Sequence, residues 1–323
     1  MRSALIPSRG DPITLRLVFH YFETVWQDEV DKLYINVNSP CEKPVIDFIE
    51  KFTKHPKVVF SYDDHSLDHG GSLTKMFHQG EEEYIAFMED DSLVYKKGEV
   101  DKHFKFLENN QYDAIGVLRW SCTGEMIDRG RTMFNLWDPK YQAGGWFWPC
   151  FYFGKRSDIA KSDLNFCGKK WKAGEIIDGL GWQLPVDIDS DTFVNFSIQM
   201  RALGLCFLEI PTPCDVTDPG FGWVHTTSLS SPMDYILTDE EDVPLSLRHG
   251  KSAHKFLPQI SDTYELEKKF AWMKTCLEKF DYSEIKDFSD AYAGAIEKAI
   301  SRFNMNRTNI TNYVNSYKNA LGL

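Results

Sequence analysis

No stretch of the sequence approaches the roughly 20 consecutive apolar residues that a helix needs to cross a bilayer. The first residues, Met1-Arg2-Ser3-Ala4-Leu5-Ile6, run into Pro7 without a secretory core. A transmembrane segment and a leader are therefore not expected. The seven cysteines (Cys41, Cys122, Cys150, Cys167, Cys206, Cys214, Cys276) are scattered, odd in number and contain no C-x-x-C. Neither a disulfide framework nor a zinc module is suggested by that pattern, which reads as mostly reduced core thiols in a cytoplasmic protein. Basic residues are in deficit, 36 against 48 acids for a formal charge of -12. An extended phosphate-binding face is thereby disfavoured, and nucleic acid with it. No G-x-x-x-x-G-K-[ST] loop and no G-x-G-x-x-G after a strand is present, which removes support for a P-loop enzyme or a dinucleotide dehydrogenase. Internal repeats and low-complexity segments are also missing.

What is present is a core: 42% of the 323 residues are hydrophobic and 14% aromatic, ample for one large or two modest domains. The chain is organised around Glu83–Val94, EYIAFMEDDSLV. Its apolar run Tyr84-Ile85-Ala86-Phe87-Met88 reads as a strand buried on both faces, and three acids, Glu89, Asp90 and Asp91, follow at once. In α/β sheets ligands lie beyond the carboxyl ends of such strands. Three carboxylates sharing a dry crevice call for a cation, and hard oxygen ligands suit Mg²⁺ or Mn²⁺.

Before this stretch the chain alternates strand and helix. A strand at Ala4–Pro7 precedes a helix from Thr14 to Val30 with apolar residues at Leu15, Val18, Phe22, Val25 and Trp26. A strand at Leu33–Asn38 precedes a helix from Pro44 to Lys54, and a third strand follows at Lys57–Tyr62. A loop carrying Gly70-Gly71 leads into a short helix through Leu73, Met76 and Phe77. Such alternation predicts a parallel sheet with four strand ends along one rim. Those ends carry Pro7, Ser8 and Arg9, then Asn36 and Asn38, then Asp63 and Asp64, and finally Glu89, Asp90 and Asp91. Amides and carboxylates of this kind pair with base edges or ribose hydroxyls, while Arg9 and Lys75 suit phosphate. Gly71 is expected to bring backbone N–H groups close to an anion at a helix start.

The opening Ala4-Leu5-Ile6-Pro7-Ser8-Arg9, the strand and helix units, and Phe87-Met88-Glu89-Asp90-Asp91 together resemble a GT-A glycosyltransferase of the family 2 type, over roughly residues 4–228. The resemblance implies an α/β fold, Rossmann-like with a mostly parallel sheet flanked by helices, and a nucleotide-diphosphate sugar, UDP- or GDP-linked, as donor. The family's DxD is Glu89-x-Asp91 here, a departure at the first acid. By the resemblance, Glu89 reaches the ribose and Asp91 holds the Mn²⁺ or Mg²⁺. His225, in Gly222-Trp223-Val224-His225, stands where the family places a histidine that completes the metal shell.

The same resemblance assigns the acceptor's base to an acid opening the helix Thr192–Leu203, closed by Arg201-Ala202-Leu203-Gly204. Spacing favours Asp191, with Asp189 second. It further implies inversion and a carbohydrate, lipid or other small acceptor hydroxyl. Simple capping of the helix is the plain alternative for these acids.

The second half adds a strand at Tyr112–Leu118, an irregular loop from Arg119 to Trp146, and an apolar strand ending in a basic turn, Trp148–Ser157. Trp146, Phe147, Trp148 and Trp182 read either as a sugar-stacking group or as core. We expect a catalytic domain over 1–235, a linker or lid over 236–260 and amphipathic helices over 261–323. Three other readings compete: a sugar nucleotidyltransferase, which calls for a more glycine-rich loop than Ser8-Arg9-Gly10-Asp11; a catalytically silent nucleotide or sugar binding module; and a glycosyltransferase acting on modified DNA bases.

Overall fold

The computed structural model describes residues 1–65, 67–118, 126–130, 146–177, 182–183, 187–189, 192–211, 213, 216, 221–226 and 263–323. In chain order, β1 (Arg2–Ser8), α1 (Pro12–Tyr21), β2 (Lys32–Val37), α2 (Lys43–Phe52), β3 (Val58–Tyr62), α3 (His69–Gln79) and β4 (Tyr84–Met88) form the alternating half. β5 (Ser92–Val94), α4 (Glu99–Glu108), β6 (Ala114–Leu118), β7 (Ile127–Gly130), β8 (Phe147–Lys155) and α5 (Arg156–Ile159) follow. Short strands β9 (Lys170–Trp171), β10 (Ile176–Ile177), β11 (Trp182–Gln183) and β12 (Ile188–Asp189) precede α6 (Val194–Ala202), β13 (Phe207–Glu209) and β14 (Trp223–His225). Three helices close the chain: α7 (Thr263–Lys279), α8 (Lys286–Arg302) and α9 (Arg307–Leu321).

Among the described residues, the main sheet has eight strands in the order β3-β2-β1-β4-β8-β6-β13-β7. β3, β2, β1 and β4 are parallel, as the alternation predicts. The chain steps outward from β1 to β3 and then returns to the other side of β1 with β4. Strand order therefore reverses between β1 and β4, and a crevice opens beyond their carboxyl ends. β8 runs antiparallel to both β4 and β6. This mostly parallel sheet, flanked by helices and followed by a helical C-terminal region, is a GT-A-like α/β fold.

Alternation along each strand splits the core between the two faces of the sheet. Ala4, Ile6, Leu33, Ile35, Ala86 and Met88 face one cluster, whereas Leu5, Tyr34, Ile85 and Phe87 face the other. The first cluster also takes in Phe270, Met273, Tyr292, Ile296 and Val314, so the closing helices share the core of α1 and α2. Tyr21 ties the two ends together by donating to the Leu321 carbonyl at 2.9 Å.

Local chemistry sets the helix starts. Asp11 accepts from the Ile13 N–H at 2.8 Å with Pro12 in the first turn of α1, a side-chain cap plus a residue whose fixed φ suits that position. Beyond Tyr21 the helix expected to Val30 widens into a π turn over Phe22–Trp26 and then a 3-10 turn, keeping Phe22 and Trp26 buried edge to face at 4.9 Å. The expected irregular loop from Arg119 to Trp146 contains β7, which closes one edge of the sheet against β13. Among the described residues, no helix is long and apolar enough to cross a membrane. Cys150 and Cys276 are buried, as expected of core thiols, but Cys41, Cys167 and Cys206 are only half-buried.

Candidate active site

β4 delivers Glu89, Asp90 and Asp91 to the crevice, and the antiparallel pair β5–β14 brings His225 beside them. The turn is closed by Ser92 N–H donating to the Glu89 carbonyl at 3.0 Å, and by Thr226 donating from both N–H and Oγ1 to the Asp91 carbonyl. His225 Nε2 then lies 2.9 Å from Glu89 Oε2 and 3.2 Å from Asp91 Oδ1. One ligand atom from each of Glu89, Asp91 and His225 falls within 4.8 Å of the others, the arrangement a metal ion needs. Trp148 meets the imidazole edge-on at 4.6 Å.

The electrostatics of this cluster follow from the neighbours. His225 is buried, which by itself disfavours the imidazolium, but Asp91 and Glu89 outweigh burial and push its pKa up to about 10. Without a cation, a proton on His225 offsets the two carboxylates. A divalent cation is the natural substitute, with Nε2 deprotonated as its ligand.

The three acids expected to share one crevice are divided. Asp90 hydrogen-bonds Ser8 rather than joining the cluster; burial and then the charge of Asp91 push its carboxyl up to about 7. Glu89, expected at the ribose, belongs with Asp91 and His225, and His69 Nδ1 lies 3.9 Å from its Oε1. The cause is the β5–β14 pairing, which no local pattern reveals.

A second polar group occupies the ends of β2 and β3. Asn36, fully buried, donates through Nδ2 to Asp63 Oδ2 at 2.9 Å and Ser72 Oγ at 2.8 Å, while its Oδ1 accepts from Ser61 Oγ and Lys75 Nζ. Every position of the amide is taken within the chain, and Asn36 fixes the positions of its neighbours. Lys75 Nζ sits 2.6 Å from Asp63 Oδ1 in an ion pair. Its charge and the Asn36 bond hold the Asp63 carboxyl below its ordinary range despite the burial that opposes them. Asn38 donates to the Leu67 carbonyl at 3.0 Å and braces the loop before α3, and its Oδ1 is buried without a partner among the described residues.

On β1, Pro7 and Ser8 are buried and Arg9 is exposed. Ser8 Oγ accepts from Gly10 N–H at 3.1 Å. The Gly71 N–H expected to face an anion donates instead to Asp68 Oδ1 at 2.6 Å, the cap of α3. The neighbouring glycine serves packing: a Cβ on Gly70 would lie 2.3 Å from the Cys167 backbone nitrogen.

Of the two candidate bases, Asp191 lies outside the described residues. Asp189 ends β12, paired with Lys170 of β9 just before α6. Trp146 and Phe147 are core residues, buried to 3% and 2% exposure, which answers the stacking question for both. Ser61, Ser72, His69 and Thr226 make contacts in the site that the sequence reading did not assign, and none of them carries a local signal for it.

No family model matches the chain, and no curated protein matches it. Among solved structures, S. aureus TarS 1-349 in complex with UDP-GlcNAc is similar at 9% identity, over 99% of this chain and 81% of that one, with a TM-score of 0.45. A mannosyltransferase from Pyrobaculum calidifontis in complex with GDP-Man and Mn²⁺ is similar at 10% identity, over 99% and 85%, with a TM-score of 0.42. A 4-diphosphocytidyl-2C-methyl-D-erythritol synthase from Anaerococcus prevotii is similar at 11% identity over 49% of this chain and 71% of its own, with a TM-score of 0.34. Identities and scores are low throughout, so the fold assignment stands on the strand order and the antiparallel β8.

Proposed function

We propose that the chain is a metal-dependent glycosyltransferase that moves a sugar from a nucleotide-diphosphate sugar to an acceptor hydroxyl. The observation that carries this reading is the convergence of Glu89, Asp91 and His225 where strand order reverses between β1 and β4. Two carboxylates and one imidazole suit Mn²⁺ or Mg²⁺, so the residues fit the ion the reading requires. When bound, such an ion neutralises the diphosphate leaving group.

The chain's own residues supply the rest. Glu89, Asp91 and His225 hold the cation. Ser8 and Asp90, bonded to each other, shape the floor between β1 and β4. Asp63, fixed by Lys75 and Asn36, bounds the nucleoside side, and Asn38 offers its spare Oδ1 there. Asp191, with Asp189 second, takes the proton from the acceptor hydroxyl as it attacks the anomeric carbon, which gives inversion. Acceptors of carbohydrate or lipid-linked type and a cytoplasmic location complete the reading. The catalytic unit spans 1–235, followed by a linker over 236–260 and the C-terminal helices.

A thermal shift screen against UDP, GDP, CDP, dTDP and ADP sugars, each with Mn²⁺ and with EDTA, tests it. A ligand of the folded state raises the midpoint by mass action. We expect a shift with one nucleotide class only when the metal is present; no shift with any donor would overturn the reading.

A further inference from the structure

Two polar atoms beside the proposed metal ligands have no hydrogen-bond partner among the described residues although both are buried: His225 Nδ1 and Ser92 Oγ. The two residues face each other directly across β5 and β14. Thr226 N–H bonds the Asp91 carbonyl and Tyr95 N–H bonds the Gly222 carbonyl, so main-chain bonds fall at 226 and 222 along β14. His225 and Ser92 therefore occupy a non-hydrogen-bonded pair, the position in an antiparallel ladder where facing side chains come nearest, with Cα atoms about 4.5 Å apart. His225 N–H confirms the register by turning the other way, to the Pro213 carbonyl at 3.0 Å. The exposures are 1% for His225 and 0% for Ser92. A buried polar atom left unpaired costs free energy, and here a donor and an acceptor of matching kind lie on facing side chains.

We propose that Ser92 is the positioning residue of the metal centre: its hydroxyl accepts the Nδ1 proton of His225, directly or through one bound water, after rotation about χ1. That bond keeps the proton on Nδ1 and leaves the Nε2 lone pair to the cation, next to Glu89 and Asp91. Ligating histidines are generally oriented this way through their second nitrogen. Glu89 and Asp91 take Nε2, and Ser92 is the residue that faces His225 across the ladder. The inference rests on the metal reading above.

The test compares the full chain with Ser92→Ala and Ser92→Thr, using Mn²⁺ titration by electron paramagnetic resonance and ¹⁵N chemical shifts of the His225 ring. Loss of an outer hydrogen bond of this type weakens metal binding about 10- to 100-fold. We expect that weakening in Ser92→Ala, recovery in Ser92→Thr, and a moved Nδ1 resonance in the metal-free Ser92→Ala protein. Unchanged Mn²⁺ affinity together with an unmoved Nδ1 resonance would overturn the role of Ser92. A parent chain that binds no Mn²⁺ would overturn the metal reading instead, and the metal-free resonance would still decide on Ser92.

Discussion

The two polar groups on the rim of the sheet are built on opposite principles. At β2 and β3, Asn36, Ser61, Asp63, Ser72 and Lys75 satisfy one another, with a full ion pair and no spare position on the amide. At β4 and β14, two carboxylates and a histidine crowd together, and buried atoms on His225 and Ser92 go unpartnered. A group complete in itself shapes a wall, because ligand binding would have to break existing bonds. A group with excess negative charge and spare lone pairs has binding capacity. That contrast separates residues that hold the site from residues that meet the ligand, although all lie at strand ends.

The sharpest way to break the comparison is Asp91→Ala. Removing one carboxylate leaves Glu89 to accept from His225, so the fold should survive. We expect the Mn²⁺-dependent thermal shift to vanish and transfer to fall by about a thousandfold or more, as loss of several kcal/mol of charge stabilisation implies. Normal turnover in this variant would remove Asp91 from the proposed centre.

The next effect is set by pH. In the metal-free protein, the two carboxylates raise the His225 pKa from 6.5 to about 10. The stability this contributes is complete below about 6.5 and is lost as pH rises through about 10. A cation must displace the same proton, so metal affinity moves the opposite way and rises up to about tenfold per pH unit across that window. Mn²⁺ titrations between pH 6 and 8 check this, and a flat profile would mean that His225 is not a ligand. No such dependence is expected from the Asn36 group.

Substitution in that group should give the mirror result. Asn36→Ala takes the amide from Ser61 and Ser72 and removes one bond each from Asp63 and Lys75, which keep their ion pair, and we expect a loss of about 1 to 3 kcal/mol in stability. Metal affinity should hold steady, since no atom of the Glu89 cluster bonds Asn36. Urea unfolding beside Mn²⁺ titration separates the two; a variant that keeps its stability but loses metal would invert the assignment.

How far the sequence speaks follows from the range of the interactions. The strands β1 to β4 were legible because each is an apolar run cut off by polar turn residues, and alternation with helices dictates parallel pairing. The acids at the end of β4 were legible as a cluster for the same local reason. Their division between His225 and Ser8 was not, because it depends on β14, far along the chain. The direction of β8 was hidden too, since an apolar run from Phe147 to Lys155 reads the same in a parallel or an antiparallel setting. Gly70-Gly71 is ambiguous as a local signal because an anion site and tight packing, here of Gly70 on Phe166 and Cys167, demand the same absent side chain. Asp11 was readable as a helix cap but not as a tie to the last helices.

That tie yields the smallest expected effect, a difference between the costs of one lost bond at two pH values. Tyr292 of α8, fully buried, donates to Asp11 Oδ2 at 3.2 Å and joins the closing helices to the loop after β1. Burial raises the Asp11 carboxyl from 3.8 to about 6, and the Tyr292 bond pulls it partly back. A raised carboxylate pKa means that this group's contribution to stability is greatest below about 3.8 and declines as pH rises to about 6. Tyr292→Phe removes the restraint on that decline. At pH 4 Asp11 is neutral and the lost bond costs about 0.5 to 1.5 kcal/mol. At pH 7 it is ionised, the bond is charge-assisted, and the cost rises to about 1.5 to 3 kcal/mol. Urea unfolding at the two pH values measures the difference. Equal costs would show that Asp11 does not change charge in this range, whereas a greater cost at pH 7 would show that the Tyr292 bond strengthens as Asp11 ionises.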